Sequence, residues 1–281
     1  MTVAVSLNLS DGVILGVDSA VTILTPDGTG IAKVYDQAQK LFQLTSCPIG
    51  LAFYGAGGIG VRSMGSYVRE FEVTDPSGVL RGQAGLSDAV EAFRSFLCQK
   101  YQETIVPAVE HATGKSFDQI PDAQRPTVGV VAAGFSGNAH LSEVWNIMLP
   151  AHASPGSAAC KRQQGDFGDD WYALDQPIIR YLNGFDSTMV YTLLTEFEKI
   201  LGRSLSEQEM QTLEQIVTSV GYQIPFGGMP MEEGVEYVRF LVNLVINHYR
   251  FTVGAPVVGG AVHIGLVTCR GDNFQILQED A

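Results

Sequence analysis

The chain has 281 residues, of which 46% are hydrophobic and 17% charged, and a mean hydropathy of +0.13, as is typical of a globular protein with a large core. Its net charge of −13 argues against nucleic acid or an anionic membrane surface as a partner, because both are polyanions. No proline-rich or low-complexity linker divides the sequence, and we expect residues 1–281 to form a single domain.

Neither a secretion signal nor a membrane span is predicted, since no run reaches about eighteen apolar residues. We therefore expect a soluble protein of the cytoplasm. The cysteines form no Cys-x-x-Cys pair and the histidines show no metal-ligand spacing, so we expect reduced thiols and neither a metal nor another cofactor. These residues are Cys47, Cys98, Cys160 and Cys269, and His111, His140, His152, His248 and His263.

The first predicted element is a β-hairpin, whose strands alternate small or polar with apolar residues and whose turn falls at 10–12. A three-residue loop with Gly12 in a left-handed conformation would place Asp18 opposite Ala4, on the face that carries Thr2. Side chains or a third residue could then bridge the roughly 7 Å between the backbones. A two-residue loop would turn Asp18 to the other face; we expect the longer loop.

Thr2 follows Met1 directly. A threonine hydroxyl becomes an effective nucleophile when a base removes its proton. If Met1 is trimmed away, the free α-amine of Thr2 can be that base, because its reference pKa of about 7.7 to 8.0 lies near neutral pH. No propeptide precedes Thr2 in this sequence, so we expect activation to need only the loss of Met1.

Lys40 and Gly55 complete the set of candidate catalytic residues. Lys40 opens a short apolar run at 41–44 that predicts a strand. A buried ammonium beside Asp18 would favour an uncharged neighbouring amine and a more acidic hydroxyl, whereas a surface lysine at a strand end is the ordinary alternative. Gly55 ends a predicted buried strand and opens a glycine-rich turn, where backbone N–H groups can approach a substrate oxyanion.

Farther along, helices and strands come in blocks, and the second of the three late helices begins with a capping box from Ser206 to Glu209. Blocks of this kind predict an α+β fold with antiparallel sheets, because a doubly wound fold would alternate strand and helix singly. A loop of about twenty residues is expected at 149–170, long enough to suggest a functional or assembly role. The predicted helices cover 66–73, 86–101, 190–201, 210–220 and 238–249, and the later strands cover 127–133, 140–148, 261–269 and 273–277.

In order and spacing, four residues resemble the catalytic set of the proteasome β-type peptidases, a family of N-terminal nucleophile hydrolases. Thr2 corresponds to the nucleophile, Asp18 to the acidic orienting residue, Lys40 to the lysine and Gly55 to the oxyanion-hole glycine. The resemblance is specific over residues 2–60, where the segment between the aspartate and the lysine is several residues longer than is usual. The stretches 165–170 and 254–260 do not match the family's later serine and Asp-x-x-Ser patterns.

The resemblance implies a four-layer α-β-β-α sandwich with Thr2 at one mouth of the sheet pair. It implies a threonine-type peptidase that hydrolyses a peptide or similar amide through an acyl-enzyme on Thr2. A peptide or protein substrate and a homo-oligomer, as a ring or a stacked assembly, are the expected partners, and the existence of an unfoldase partner is left open.

Two other functions compete with this one. Gly55-x-Gly57-x-x-Gly60 fits the dinucleotide-binding pattern of an oxidoreductase, although the helix predicted at 66–73 continues where a second parallel strand with an acidic end would be needed. The same fold without the chemistry would make a catalytically inert structural or peptide-binding subunit.

A cluster of acidic residues lies at Asp166, Asp169 and Asp170. Its oxygens could bind a hard cation such as magnesium or calcium. We expect instead a solvated turn and a helix start, because acidic residues suit a helix N-terminus, with Trp171 and Tyr172 packing in the first turn.

Overall fold

The computed structural model gives the arrangement of most of the chain. The described residues are 2–24, 31–44, 49–75, 78–79, 85–137, 139–150, 156–219, 221–254, 257–268 and 274–277. The predictions for Met1, Cys47, His152 and Cys269 lie outside them, as do the predicted element ends at Val220 and Asn273.

Within these residues, strands and helices follow one another in blocks. The strands are β1 (Val3–Leu9), β2 (Gly12–Asp18), β3 (Val21–Leu24), β4 (Ile31–Tyr35), β5 (Leu41–Leu44), β6 (Ile49–Gly55), β7 (Gly58–Ile59), β8 (Arg62–Ser63), β9 (Val128–Phe135), β10 (Ser142–Leu149), β11 (Ser157–Arg162), β12 (Gly168–Ala173), β13 (Val262–Thr268) and β14 (Phe274–Leu277). The α-helices are α1 (Met64–Thr74), α2 (Leu86–Thr113), α3 (Gln176–Asn183), α4 (Ser187–Leu201), α5 (Glu207–Ser219) and α6 (Met231–Phe251).

Two five-stranded sheets make up most of the β structure. Sheet 1 has the order β12-β1-β2-β13-β14, and sheet 2 has the order β11-β10-β9-β6-β5. Neighbouring strands pair antiparallel throughout both sheets. The predicted α+β class with antiparallel sheets is therefore confirmed.

Three apolar clusters fix these elements relative to one another. The first joins sheet 1 to α6, through residues such as Val5 and Val242. The second joins sheet 2 to α1 and α2, through residues such as Phe53 and Phe93. The third contains side chains of both sheets, among them Ala52. Because interiors are close-packed, the strand ends that carry the candidate catalytic residues are held in place by this packing.

The turn of the first hairpin is shorter than predicted. Leu9 pairs with Gly12, and Ala4 pairs with Val17 rather than with Asp18, so the loop has two residues and the predicted three-residue loop is wrong. Gly12 has a φ of 153°, and a Cβ added there would lie 2.2 Å from a backbone oxygen of β13. The glycine is required both by this positive φ, which other residues rarely adopt, and by the close approach of β13.

The segment 149–170, predicted as one loop, contains β11 and the first residues of β12. The predicted helix start is therefore wrong: Asp169 and Asp170 lie on a strand, together with Trp171 and Tyr172. Neighbouring side chains stabilise the carboxylates there. Arg162 Nε donates to Asp170 Oδ2 at 2.8 Å, and Asp169 Oδ2 accepts from the indole N–H of Trp171 and from the hydroxyl of Tyr237.

Most predicted helices are present with different ends. The helix expected at 86–101 continues to Thr113, and α3 begins at Gln176, after the helix start that was predicted around Asp169 to Tyr172. The capping box is confirmed, because the Ser206 N–H donates to Glu209 Oε2 at 2.8 Å and the Glu209 N–H donates to Ser206 Oγ at 3.3 Å.

No described helix combines the length and the apolar character that crossing a bilayer requires.

Gly16 provides a test of the contact between sheet 1 and α6. A Cβ at this position would lie 2.3 Å from Val238 Cγ1, so Gly16→Ala forces the helix and the sheet apart. We expect a loss of about 1–3 kcal/mol in the free energy of unfolding, measured with urea. Gly228→Ala is the control, because its added Cβ meets no atom within 4 Å. Equal stabilities of the two variants would contradict this packing.

Candidate active site

Thr2, Asp18 and Lys40 meet at one point in the structure. Lys40 Nζ donates to Thr2 Oγ1 at 2.9 Å and to Asp18 Oδ1 at 2.8 Å. The three residues are 3%, 0% and 5% exposed, in the order Thr2, Asp18 and Lys40. A single ammonium group thus connects a hydroxyl and a carboxylate in a site that is almost closed to water.

Backbone N–H groups fix the Asp18 carboxylate. Its Oδ1 accepts from Val3 N at 3.2 Å, and its Oδ2 accepts from Ala20 N at 3.2 Å and from Gly259 N at 3.3 Å. Asp18 is the last residue of β2 and Thr2 precedes β1, so strand alternation does not dictate where these two side chains point. For this reason the shorter loop does not separate them, contrary to the expectation from register alone.

Lys40 immediately precedes β5, as predicted, and its backbone oxygen accepts from the Phe53 N–H at 2.9 Å. Its side chain is 6% exposed, which rules out the alternative of a surface lysine. Asp18 belongs to sheet 1 and Lys40 leads into sheet 2, so the ion pair joins the two sheets. Lys40 is the third residue that bridges the gap between Thr2 and Asp18.

Burial and mutual attraction act in opposite directions on the charged pair. Burial lowers the pKa of the Lys40 ammonium, and Asp18 opposes that decrease. Burial raises the pKa of the Asp18 carboxyl, and Lys40 together with the N–H groups of Gly259 and Val3 opposes that increase. Each charge therefore depends on the other, because an unpaired charge in a low-dielectric interior is costly.

Gly55 lies at the end of β6 with a φ of 83°, a left-handed conformation that favours glycine. A Cβ there would lie 2.4 Å from the backbone oxygen of Thr127. That same oxygen accepts from the Ala56 N–H at 2.8 Å, so the Ala56 N–H is already engaged.

A cavity of about 310 Å³ opens beside Thr2, Lys40 and Gly55. Asp18 does not line it and is connected to it through Lys40. The cavity brings a hydroxyl, a cation and a glycine backbone to one space in which a substrate carbonyl could be bound. Its other lining residues are Val21, Ala38, Gln39, Phe42, Phe53, Tyr54, Ala56, Gly57, Ser63, Met64 and Gly65.

Two contributors to the site were not predicted. The Gly259 N–H donates to Asp18, and the Leu174 N–H, directly after β12, donates to the backbone oxygen of Thr2 at 3.2 Å. The glycine pair at 259 and 260 was a usable signal, since Gly260 has a φ of 74° and approaches the Asp36 backbone closely. Leu174 offered none, because β12, the strand that precedes it, was not predicted.

The glycine pattern Gly55-x-Gly57-x-x-Gly60 lies in a different context from a dinucleotide-binding site. β6 runs antiparallel to both of its neighbours, β5 and β9, whereas the dinucleotide motif needs parallel strands joined by a helix. Gly58 then enters the short β7-β8 ribbon before α1 begins.

The acidic cluster has protein partners of its own. Arg162 pairs with Asp166 and Asp170. Among the described residues, no group of three or more His, Cys, Asp or Glu side chains is arranged to hold a metal ion.

No protein-family model matches the chain, and no curated protein has a detectably similar sequence. Its function is therefore inferred from the geometry and chemistry of the site.

Removing the cation tests how strongly the pair is coupled. We expect Lys40→Ala to lower the free energy of unfolding by about 3–5 kcal/mol in urea, because it leaves Asp18 charged and buried. The control is Lys199→Ala, which removes an exposed ion pair with Glu196 and should cost about 0–1 kcal/mol. Similar losses in both variants would mean that Asp18 does not depend on Lys40.

Proposed function

We propose that this protein is an N-terminal nucleophile hydrolase, a threonine-type peptidase or amide hydrolase similar to the proteasome β-type peptidases. The carrying observation is the position of Lys40 Nζ, which donates to Thr2 Oγ1 and to Asp18 Oδ1 in one buried site. Residues separated by up to 38 positions in the sequence meet there with the chemistry that a threonine nucleophile needs.

The packing of the helices supports the four-layer α-β-β-α arrangement within this proposal. α6 packs against β1, β2 and β13 of sheet 1, while α2 packs against β9, β10 and β11 of sheet 2. Side chains from both sheets form a cluster of their own. In such an arrangement the sheets are the two inner layers, and Thr2 lies at one end of them.

In the first step, removal of Met1 frees the α-amine of Thr2, which takes the hydroxyl proton directly or through a water molecule. Oγ1 bonds to the substrate carbonyl carbon, and the carbonyl π electrons move to oxygen, which gives a tetrahedral oxyanion. The N–H of Gly55 is proposed to donate to that oxyanion. The C–N bond then breaks, and the leaving amine receives the proton from the Thr2 ammonium.

In the second step, water attacks the ester on Thr2, the same amine accepts a proton from it, and the acid product leaves as Oγ1 is reprotonated. Lys40 supplies a positive potential that lowers the pKa of the hydroxyl and disfavours protonation of the amine. Asp18 is a positioning residue, because it holds the ammonium within hydrogen-bonding distance of Oγ1.

The inert-subunit alternative keeps the fold without the reaction. A buried ion pair is weak evidence for stability, since an apolar pair of similar volume often serves as well or better. A cation directed at a threonine hydroxyl on the wall of a cavity therefore favours the catalytic proposal.

Self-association and location belong to the same proposal. The likeness to ring-forming and stacked peptidases implies a homo-oligomer that acts on peptides or proteins in the cytoplasm. One helix offers a surface of the kind that subunit contacts bury: α4 exposes large apolar side chains at helical spacing. They are Met189, Leu193, Phe197 and Ile200. Light scattering during size-exclusion chromatography would give the mass of the assembly.

Substitution of Thr2 tests the nucleophile. We expect Thr2→Ala to abolish hydrolysis of peptide amides while leaving the unfolding temperature within a few degrees of the wild type. Thr2→Ser is the matched control, because it retains a hydroxyl and an α-amine and should retain measurable turnover. Full activity in Thr2→Ala would remove the assignment.

Gly55 can be tested through its conformation. Gly55→Ala places a Cβ against Thr127 and shifts the backbone, so we expect kcat to fall roughly 100- to 1,000-fold. Gly114→Ala is matched to it, with a φ of 66°, but its added Cβ meets no atom within 4 Å and Gly114 does not line the cavity. Equal kcat values for the two variants would contradict a role for the Gly55 backbone.

The proposal also predicts a bell-shaped dependence of kcat/KM on pH. The rate should rise as the Thr2 amine loses its proton, at a pH no higher than its reference pKa of about 7.7 to 8.0, because the Lys40 charge disfavours the protonated form. It should fall again at a pH below the ordinary lysine pKa of 10.5, because burial lowers the pKa of Lys40. Once Lys40 has lost its proton, its side chain no longer supplies a positive potential. Asp18→Asn should move this alkaline limb to lower pH, since Asp18 raises that pKa. A rate that does not change across this range would contradict both roles.

A further inference from the structure

We propose that the cavity beside Thr2 binds an uncharged, apolar side chain of the substrate, of the size of leucine, methionine or phenylalanine. This side chain belongs to the residue that contributes the carbonyl group of the amide to be cleaved. The inference rests on the proposed function, and it adds the substrate class of that site.

The walls of the cavity are mostly apolar. Phe53 and Met64 are each 3% exposed and belong to the apolar cluster that joins sheet 2 to α1 and α2. Residues of the core therefore form part of the cavity wall. Val21 and Ala38 contribute to the lining from the chain between Asp18 and Lys40. An apolar side chain placed against these walls would lose water contact without leaving a polar group unpaired.

The aromatic part of the wall is held by contacts between rings. Phe42 and Phe53 meet edge to face, with ring centroids 5.5 Å apart, and Phe53 makes a second such contact with Phe93 at 6.3 Å. Rings fixed in this way offer a surface of defined shape, which allows selection by size as well as by polarity.

The charge of the lining argues against an ionised side chain. Lys40 is the single charged residue that lines this cavity within the described part of the chain, and its ammonium already donates to Thr2 and Asp18. A lysine or arginine side chain would meet a like charge. An aspartate or glutamate side chain would lose the hydration of its carboxylate against apolar walls. Among the described lining residues no free cation would compensate for that loss, because Lys40 is already paired to Asp18.

The volume sets the upper limit on size. About 310 Å³ lies at the low end of the roughly 300–1,000 Å³ seen for small-molecule sites. This space suits one side chain with its flanking backbone.

Phe42 lies between the cavity and a neighbouring groove. Together with Gln39 and Gly65 it lines both this cavity and the groove of about 560 Å³, where Phe274 and Ile276 also contribute to the lining. The ring approaches α1 closely, since a Cβ added at Gly65 would lie 2.7 Å from Phe42 Cε1. Phe42 has the largest side chain of the three shared residues, so removal of its ring would enlarge the cavity toward the groove and admit a larger side chain.

The test is a set of peptide epoxyketones that differ only at the residue bearing the ketone, which is alanine, leucine, phenylalanine, tryptophan, aspartate or lysine. The rate of adduct formation on Thr2 is followed by intact mass, with Thr2→Ala as the blank. We expect leucine or phenylalanine to react about tenfold or more faster than alanine, because each methylene accommodated in such a pocket is worth roughly 10- to 200-fold. Aspartate and lysine should react more slowly than alanine.

Phe42→Ala tests the wall of the cavity. Phe226→Ala is the matched control, because it also removes an edge-to-face ring contact, the one with Tyr237, and Phe226 does not line the cavity. We expect Phe42→Ala to raise the tryptophan-to-leucine rate ratio about tenfold and Phe226→Ala to leave it unchanged. If Phe42→Ala does not fold, Phe42→Leu makes the same test with a smaller loss of volume.

The outcomes separate the two proposals. Adducts that form fastest with aspartate or lysine, or a rate ratio that does not respond at Phe42, overturn the apolar pocket and leave the threonine nucleophile standing. The absence of any adduct on Thr2 across the whole set overturns the nucleophile and the pocket together.

Discussion

The site depends on one buried ion pair that joins the two sheets. Asp18 comes from sheet 1 with no exposed surface, and Lys40 leads into sheet 2. Neither charge is tolerable alone at that depth, so the contact forms only when both sheets are correctly packed. The ammonium still has a proton to donate to Thr2, which couples the position of this hydroxyl, the proposed nucleophile, to the assembly of the whole fold.

The same burial that makes the pair costly makes it useful. Electrostatic effects are stronger where water is excluded, so the Lys40 charge acts on Thr2 with little screening. Backbone N–H groups from three different segments hold Asp18 in place, and Asp18 in turn holds the Lys40 ammonium beside Thr2. The apolar core that excludes water from the pair also forms the wall of the cavity through Phe53 and Met64.

The α+β class and three residues of the site were predicted from the sequence. The hairpin register and the other segments that contact these residues were not. Thr2, Asp18 and Lys40 were found by their order and spacing, and they meet although the hairpin register was off by one, because side chains at strand ends are not bound by alternation. Gly259 was missed because its contact with Asp18 spans 241 positions, beyond any local pattern. β12 was missed because aspartates favour turns and helix starts locally, whereas contacts from residues outside the strand, Arg162 to Asp170 and Tyr237 to Asp169, stabilise them on a strand.

The most direct measurement is the intact mass and amino-terminal residue of the native protein, before and after treatment with a peptide epoxyketone. A chain that begins at Thr2 and takes up one equivalent of the reagent is the predicted result, because the free α-amine and the activated hydroxyl are both needed for the reaction. A chain that retains Met1 and forms no adduct would contradict the nucleophile, since the proposed base would then be an amide.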